Sequence, residues 1–470
     1  MVLNAMARGE DCADAGPVRL AEAVKPRRIG LVVDHPLRDL DGLCLVAQML
    51  AERGHEAVLL PFYAQHFDLP NLDLDALVLN YARPANLPLA RSAIARGVAV
   101  CVLDTEGGLI PEEGPTSAGG MAKFLRQSGL DAELSLYLFW GERLRSHITD
   151  NTALPPERAI LTGCPRFDLA RARSGCAEDA KRRAVLVNTN FPVVNPAHAA
   201  GAQVDVEALR SIGFQERDIA NLAHNVRAVM QRMIETVHAL AKARPNRDFV
   251  VRPHPFERIE PYERAFADCP NVTVRREGTA MEALEQSACL LHVNCTTAIE
   301  ACLVGVPPIS LDFINAPMLR DMARLPSEIS HPVQSVWQTL SLIDRAHKLA
   351  PSPAHETIAP FFGPLDGMAA ERVVDALATA PLYRGQGRSR SARLDPKPLL
   401  GRLLGSRVIE SVRSAFHTSR RIKAFGIAEV RDRIERIARD RRTSPAILDH
   451  SRSALGLPIM AVNVRPPRLR

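Results

Sequence analysis

Apolar residues along this chain gather in short runs separated by amphipathic stretches, and the two kinds of segment alternate. The run Ile29-Gly-Leu-Val-Val33 has no polar position, which predicts a strand covered on both faces. A polar loop follows, then a helix over 42–52 with Leu43, Val46, Ala47 and Leu50 on one stripe and Gly54 placed to cap its end. Further strands read at 57–61, 76–79, 98–103 and 136–140, with helical stretches between some of them. The rhythm restarts with a strand at 184–188, a long helix over 219–243 and a strand at 248–251. Shorter units complete it: strand 272–274, helix 280–286, strand 289–293, helix 297–303 and strand 308–311. Strand, helix, strand in this order means a parallel sheet wrapped by helices, and the restart means a second one. The expected fold is α/β, with two Rossmann-like, doubly wound domains facing a cleft, where ligands meet the carboxyl ends of the strands.

A length of 470 residues agrees with more than one domain. The first domain is expected over 26–168 and the second over 184–383. The segment Thr162-Gly-Cys-Pro-Arg-Phe-Asp168 leads into a polar linker over 169–183. Residues 1–25 carry Glu10, Asp11 and Asp14 without an apolar stretch, so they read as a disordered extension rather than a leader peptide. Residues 384–470 read as a basic, partly helical appendage, with a helix near 428–438.

The net charge of +6 conceals an uneven distribution. Residues 384–442 hold 17 Lys and Arg against 6 Asp and Glu, so the body before them is acidic. Such a tail suggests an anionic surface as partner. Only Phe416 and Phe425 are aromatic there, which speaks against nucleic acid and favours an anionic membrane leaflet, with a charged face packing back on the body as the plainer alternative. No run approaches the ~18 apolar residues of a membrane span. Nine cysteines with no C-x-x-C pair fit reduced thiols in a cytoplasmic protein, peripheral on the inner membrane face if the tail engages lipid.

The strongest local signal is Arg252-Pro-His-Pro-Phe-Glu257 after the strand at 248–251. Pro253 and Pro255 stiffen the loop, so His254 projects in a near-fixed direction, able to bond a phosphate or sugar oxygen, with Arg252 adding charge, and Pro255 and Glu257 are counted with them as part of a nucleotide site. A histidine satisfied by a carbonyl in a structural turn is the plainer alternative. Asn294-Cys-Thr-Thr-Ala-Ile-Glu300 spans a strand end and a helix start, where hydroxyls and free N–H groups form an anion site. Thr296 and Thr297 are therefore candidates for donor phosphate, although Thr296 also fits a simple N-cap. Glu300 either accepts from a ribose hydroxyl or favours the helix electrostatically. In the first domain, Asp104 and Glu106 follow the strand at 98–103, and either suits a general base. Asp34-His-Pro-Leu-Arg-Asp39 with Asp41 forms another cleft-facing loop; His35, Arg38, Asp39 and Asp41 suit acceptor contacts, Asp39 and Asp41 fitting helix caps as well. There is no G-x-G-x-x-G, no P-loop and no metal-like spacing of His and carboxylates, so neither a bound cofactor nor a metal is expected.

The span from Ile29 to about Leu377 resembles the bacterial surface carbohydrate biosynthesis proteins. The resemblance rests on Arg38-Asp-Leu-Asp-Gly42, Asp104-Thr-Glu-Gly107, Thr162-Gly-Cys-Pro-Arg-Phe-Asp168, Arg252-Pro-His-Pro255, Thr296-Thr297 and Asp366-Gly367. More distantly the pattern is similar to capsule Kdo transferases and bacterial sialyltransferases. That likeness implies a GT-B, metal-independent glycosyltransferase using a nucleotide sugar, such as a CMP-sugar, and a glycan or lipid-linked glycan acceptor. It gives Glu106 or Asp104 the role of base, and gives His254, Thr296 and Thr297 the nucleotide phosphate. The acidic motif here is Asp-Thr-Glu-Gly rather than two adjacent acids. A nucleotide-sugar epimerase with a similar Thr-Gly-x-Pro segment, a CDP-polyol phosphotransferase and a non-catalytic sugar-nucleotide scaffold are the alternatives on the same fold.

Overall fold

Six strands of the first half, β1 (Arg28–Val33), β2 (Glu56–Pro61), β3 (Ala76–Leu79), β4 (Ala99–Leu103), β5 (Leu136–Phe139) and β6 (Ala159–Leu161), pair in parallel in the order β2-β1-β3-β4-β5-β6. The second half supplies β7 (Ala184–Asn188), β8 (Phe249–Arg252), β9 (Val272–Val274), β10 (Ser287–His292), β11 (Pro308–Leu311) and β12 (His331–Val333), also parallel, in the order β12-β11-β10-β7-β8-β9. β3, β4 and β5 are buried at every position, as expected of strands covered on both faces. These are two Rossmann-like sheets facing a cleft, the GT-B arrangement. The computed structural model describes residues 25–467 except 107, 111–113, 115–116, 175–183, 198–208, 211–213, 350–353, 384–395 and 417–422. The expected N-terminal extension thus lies, but for Lys25, outside the described residues.

Each sheet reverses its winding beside its first strand, between β1 and β3 and between β7 and β10. The loops leaving β1, β7 and β10 therefore diverge to opposite faces and leave a crevice at each switch point.

The junction departs from a plain linker. Residues Pro165–Ser174 form a helix, and it packs closely on the helix Leu40–Glu52. A Cβ on Gly42 would sit 3.0 Å from the Arg166 backbone nitrogen, so the glycine is needed for that approach. The chain then returns: the helix Ala369–Thr379 lies against Leu40–Glu52 rather than on the second sheet, and Arg53 pairs with Glu371 and Asp375. The Asp168 carboxylate accepts the N–H groups of Ala369 and Ala370 at 3.2 and 2.7 Å, tying the outgoing and returning segments together.

The basic C-terminal stretch is integral to the first sheet. β13 (Ile447–Arg452) and β14 (Pro458–Arg465) form an antiparallel hairpin, and β14 pairs antiparallel with β2, Val462 opposite Leu59. The helix Ile427–Arg441 buries Val430, Ile434, Ile437 and Ala438 at helical spacing. Its arginines answer the acidic body: Arg433 reaches Asp41 at 2.6 Å, Arg436 reaches Asp41 at 3.2 Å and Glu282 at 3.1 Å, and Arg441 reaches Glu52 at 2.8 Å. Part of the charge asymmetry is thus neutralised within the molecule. No helix among the described residues is long and apolar enough to cross a membrane. The seven described cysteines are free thiols.

Candidate functional site

The carboxyl ends of β1, β7, β8 and β10 open on one cleft between the two sheets. From the second domain Asn188, Arg252, His254, Pro255, Thr296, Thr297 and Glu300 line it; from the first come Arg38 and Asp41, and Arg166 stands at the junction. His35, Asp39, Asp104, Glu106 and Glu257 do not line it.

His254 owes its direction to the turn around it. Its Nδ1 accepts the Phe256 N–H at 3.2 Å. Burial, reinforced by the Arg38 and Arg276 guanidiniums, pushes its pKa down to about 3, so the ring is neutral. With Nδ1 an acceptor, the proton sits on Nε2, and the ring presents a neutral donor. Glu257 builds this turn: fully buried, it accepts the His254 N–H at 3.1 Å, the Phe191 N–H at 3.0 Å and the Thr189 hydroxyl at 2.7 Å, and it also takes the Tyr262 hydroxyl. Expected at the nucleotide, Glu257 instead organises the loop beneath it.

Arg252 is similarly occupied. Its guanidinium donates to the carbonyls of Arg276 and Glu277 at 2.9 Å each and of Gly278 at 2.7 Å. These bonds hold the segment before Thr279, whose hydroxyl and Glu282 complete a capping box for the helix Ala280–Glu285.

Thr296 is exposed and Thr297 buried at the start of the helix Thr297–Leu303. Thr296 makes no side-chain capping bond, so the simple N-cap reading does not describe it. The turn is set by Asn294, whose φ of 51° is left-handed and whose side chain exchanges hydrogen bonds with Asn315 at 3.2 and 3.0 Å. Glu300 is held by Arg166, with Nε 3.0 Å from Oε1.

On the first-domain side Arg38 gathers carboxylates. It pairs with Asp34, with Asp39 at 3.0 Å and with Glu106 at 3.4 Å. The two candidate bases separate clearly. Asp104 is buried, accepting the Glu106 N–H at 2.9 Å and the Tyr137 hydroxyl at 3.4 Å, and burial raises its pKa despite Arg83. Glu106 keeps nearly half of its side chain exposed; its surroundings disfavour charge, but Arg83 at 2.8 Å and Arg38 outweigh that and hold its carboxyl below the usual range.

Three residues at or beside the cleft were not singled out by the sequence reading. Asn188 ends β7 with a buried Oδ1 that has no partner, and a polar residue closing an apolar strand was the available signal. Arg166 joins Glu300 to Asp39, at 3.0 and 3.8 Å, and stood in plain view within the Thr162–Asp168 motif. Lys423 bonds Asp34 at 2.8 Å and lies 4.0 Å from the Phe62 ring centroid and 5.2 Å from that of Phe256. No sequence signal marks it, because it arrives from almost four hundred residues away. One further grouping, His238 with Asp268 and Cys269, brings potential metal-ligand atoms within 4.8 Å of one another; none of the three lines the cleft.

No family model and no curated protein matches the chain. Among solved structures it is similar to MnaA of S. aureus with UDP, at 11% identity and a TM-score of 0.48, covering 75% of this chain and 96% of that one. It is similar to the UDP-GlcNAc 2-epimerase of Neisseria meningitidis bound to UDP-GlcNAc, at 12% identity and a TM-score of 0.47, covering 74% and 99%. It is also similar to the wall teichoic acid polymerase TagF in a soak with CDPG, at 11% identity and a TM-score of 0.44, covering 76% and 89%.

Proposed function

We propose that this protein is a glycosyltransferase of surface-carbohydrate assembly, moving a sugar from a nucleotide-activated donor, a CMP-sugar in the simplest case, to a glycan acceptor. The observation that carries the reading is the convergence of a neutral histidine donor, His254, and the hydroxyls of Thr296 and Thr297 on one cleft at the carboxyl ends of β8 and β10. Such a set is suited to a leaving phosphate, whose growing charge is met by fixed donors. The second domain would hold the nucleotide and the first the acceptor, near Arg38 and Asp41. Of the two candidate bases, Glu106 is the more exposed one and, though outside the cleft lining, pairs with Arg38, which lines it, while Asp104 supports it through the Glu106 N–H. A base paired to two guanidiniums is weak, so the reading requires the acceptor to loosen the Arg38 and Arg83 contacts on binding.

The test is thermal unfolding of the protein with CMP, CDP, UDP and GDP, beside His254→Ala. Selective stabilisation by one nucleotide, lost in the variant, supports a donor site and names its class. No stabilisation by any of them overturns it. Product mass then decides the reaction: sugar transfer requires an acceptor, whereas a donor converted without one is epimerisation.

A further inference from the structure

The helix Pro396–Phe416 is amphipathic the wrong way round. It divides at Gly405, where φ of 71° and ψ of 157° separate two helical runs. The sides turned to the protein carry Gly401, Gly405, Ser406 and Glu410, all buried. Docking there is polar and backbone-led. Asn71 donates to the Gly401 carbonyl at 2.8 Å, and the Met460 N–H donates to the Ser406 hydroxyl at 2.7 Å. A Cβ on Gly401 would collide with the Phe67 carbonyl, so only glycine permits this approach.

The large apolar side chains therefore face outward. Leu399, Leu400, Leu403 and Leu404 in the first run, with Val408 and Val412 in the second, are between 37% and 64% exposed. Four leucines spaced i, i+1, i+4 and i+5 occupy one helix face. An exposed apolar group of this kind on an otherwise well-buried protein marks an interaction surface. Its charge selects the partner: the helix carries Lys397, Arg402, Arg407 and Arg413 against Glu410 alone, and Arg402 and Arg407 are exposed beside the leucines.

We propose that this helix seats the protein on an anionic lipid bilayer. The leucines enter the boundary between headgroups and acyl chains, and the arginine heads reach lipid phosphates. The helix lies in the membrane plane rather than across it, consistent with the absence of a spanning helix among the described residues. The inference does not rest on the proposed transferase activity.

The experiment is flotation of the full-length protein with phosphatidylglycerol-containing vesicles and with phosphatidylcholine vesicles, at low and at about 1 M salt. The expected result is binding to the anionic vesicles that weakens as salt screens the arginines. Leu403→Asp with Leu404→Asp should weaken it by about tenfold or more. Leu399→Asp, at the most exposed of these positions, gives a second variant should the double one unfold. Unchanged thermal unfolding of the variants shows that the loss is of docking, and nucleotide stabilisation, read separately, keeps this outcome distinct from the donor-site test. Failure of the protein to bind anionic vesicles, or undiminished binding by the leucine variants, overturns the proposal. So does a concentration-dependent dimer that the variants dissociate, which would assign the leucines to a second copy.

Discussion

Each domain places a His-Pro turn at the end of a strand, His35-Pro36 after β1 and His254-Pro255 after β8, and the two are built alike. In both, Nδ1 accepts the N–H two residues on, from Leu37 at 3.1 Å and from Phe256 at 3.2 Å. In both, a nearby carboxylate accepts the histidine's own N–H, Asp39 at 3.0 Å and Glu257 at 3.1 Å. Burial, with Arg38 close to both, pushes both imidazoles down to about 3. They differ in outlook. His254 lines the open cleft, whereas His35 is sealed, its ring 4.9 Å from that of Phe256 and its Nε2 buried without a partner. The carboxylates differ too: Asp39 is shared with Arg38 and Arg166, while Glu257 meets only neutral donors. The same kind of turn thus yields a cleft-facing donor in one domain and a buried one in the other, and the packing around the ring decides which.

The largest expected effect breaks the pair at its exposed member. His254→Ala should lower turnover by about 10²–10³-fold, the usual loss of one charge-stabilising donor. Steady-state rates with the donor identified by thermal shift would check it, and a loss below threefold would remove His254 from the chemistry. Next comes the turn itself. Glu257→Ala strips a buried acceptor from the His254 and Phe191 N–H groups and from two hydroxyls, so urea unfolding should show a loss of about 3 kcal/mol.

The two rings also predict acid sensitivity. Unfolded histidine titrates near 6.5, while both folded rings titrate at about 3. Between those values the unfolded chain binds more protons. Stability is therefore full above pH 6.5 and falls as pH drops towards about 3. His35→Asn keeps an acceptor for the Leu37 N–H but does not titrate, and should remove up to about 1.4 kcal/mol per pH unit from that slope. Urea titrations at several pH values would show it. A saturating nucleotide should alter the contribution of His254 and leave that of His35 unchanged.

The smallest effects separate two threonines. Thr279→Ala removes a capping box and should cost about 1 kcal/mol of stability. Thr296 caps nothing, so Thr296→Ala should leave thermal unfolding in place while weakening nucleotide stabilisation. Equal losses of stability in both variants would return Thr296 to a structural role.

Much of the fold was legible because a doubly wound sheet writes itself locally. Apolar runs such as that over 29–33 read as strands covered on both faces, and the helices between them show their buried stripes. The strand ends then localise the cleft, which is how His254, Thr296 and Thr297 were found. β6 and β12 escaped the sequence reading; β12 is His331-Pro-Val333, whose central proline speaks against a strand. Charge alone left the C-terminus undecided: a basic stretch reads equally as a free appendage or as a face packed on the body until its partners are known, and Asp41, Glu52 and Glu282 lie far away in sequence. Hence β13, β14 and the helix Ile427–Arg441 became part of the first domain only through tertiary pairing.

By itself, then, the sequence determined the two α/β sheets, the winding that opens a cleft and the histidine and threonine types at the strand ends, because hydrophobic periodicity and proline act within a few residues. The tertiary structure alone decided that Glu257 builds the His254 turn, that Arg166 joins the domains, that Lys423 reaches Asp34 and that the leucines of Pro396–Phe416 face outward. Those outcomes depend on which distant surfaces compete for each charged or apolar group, and that competition is settled only when the chain is packed.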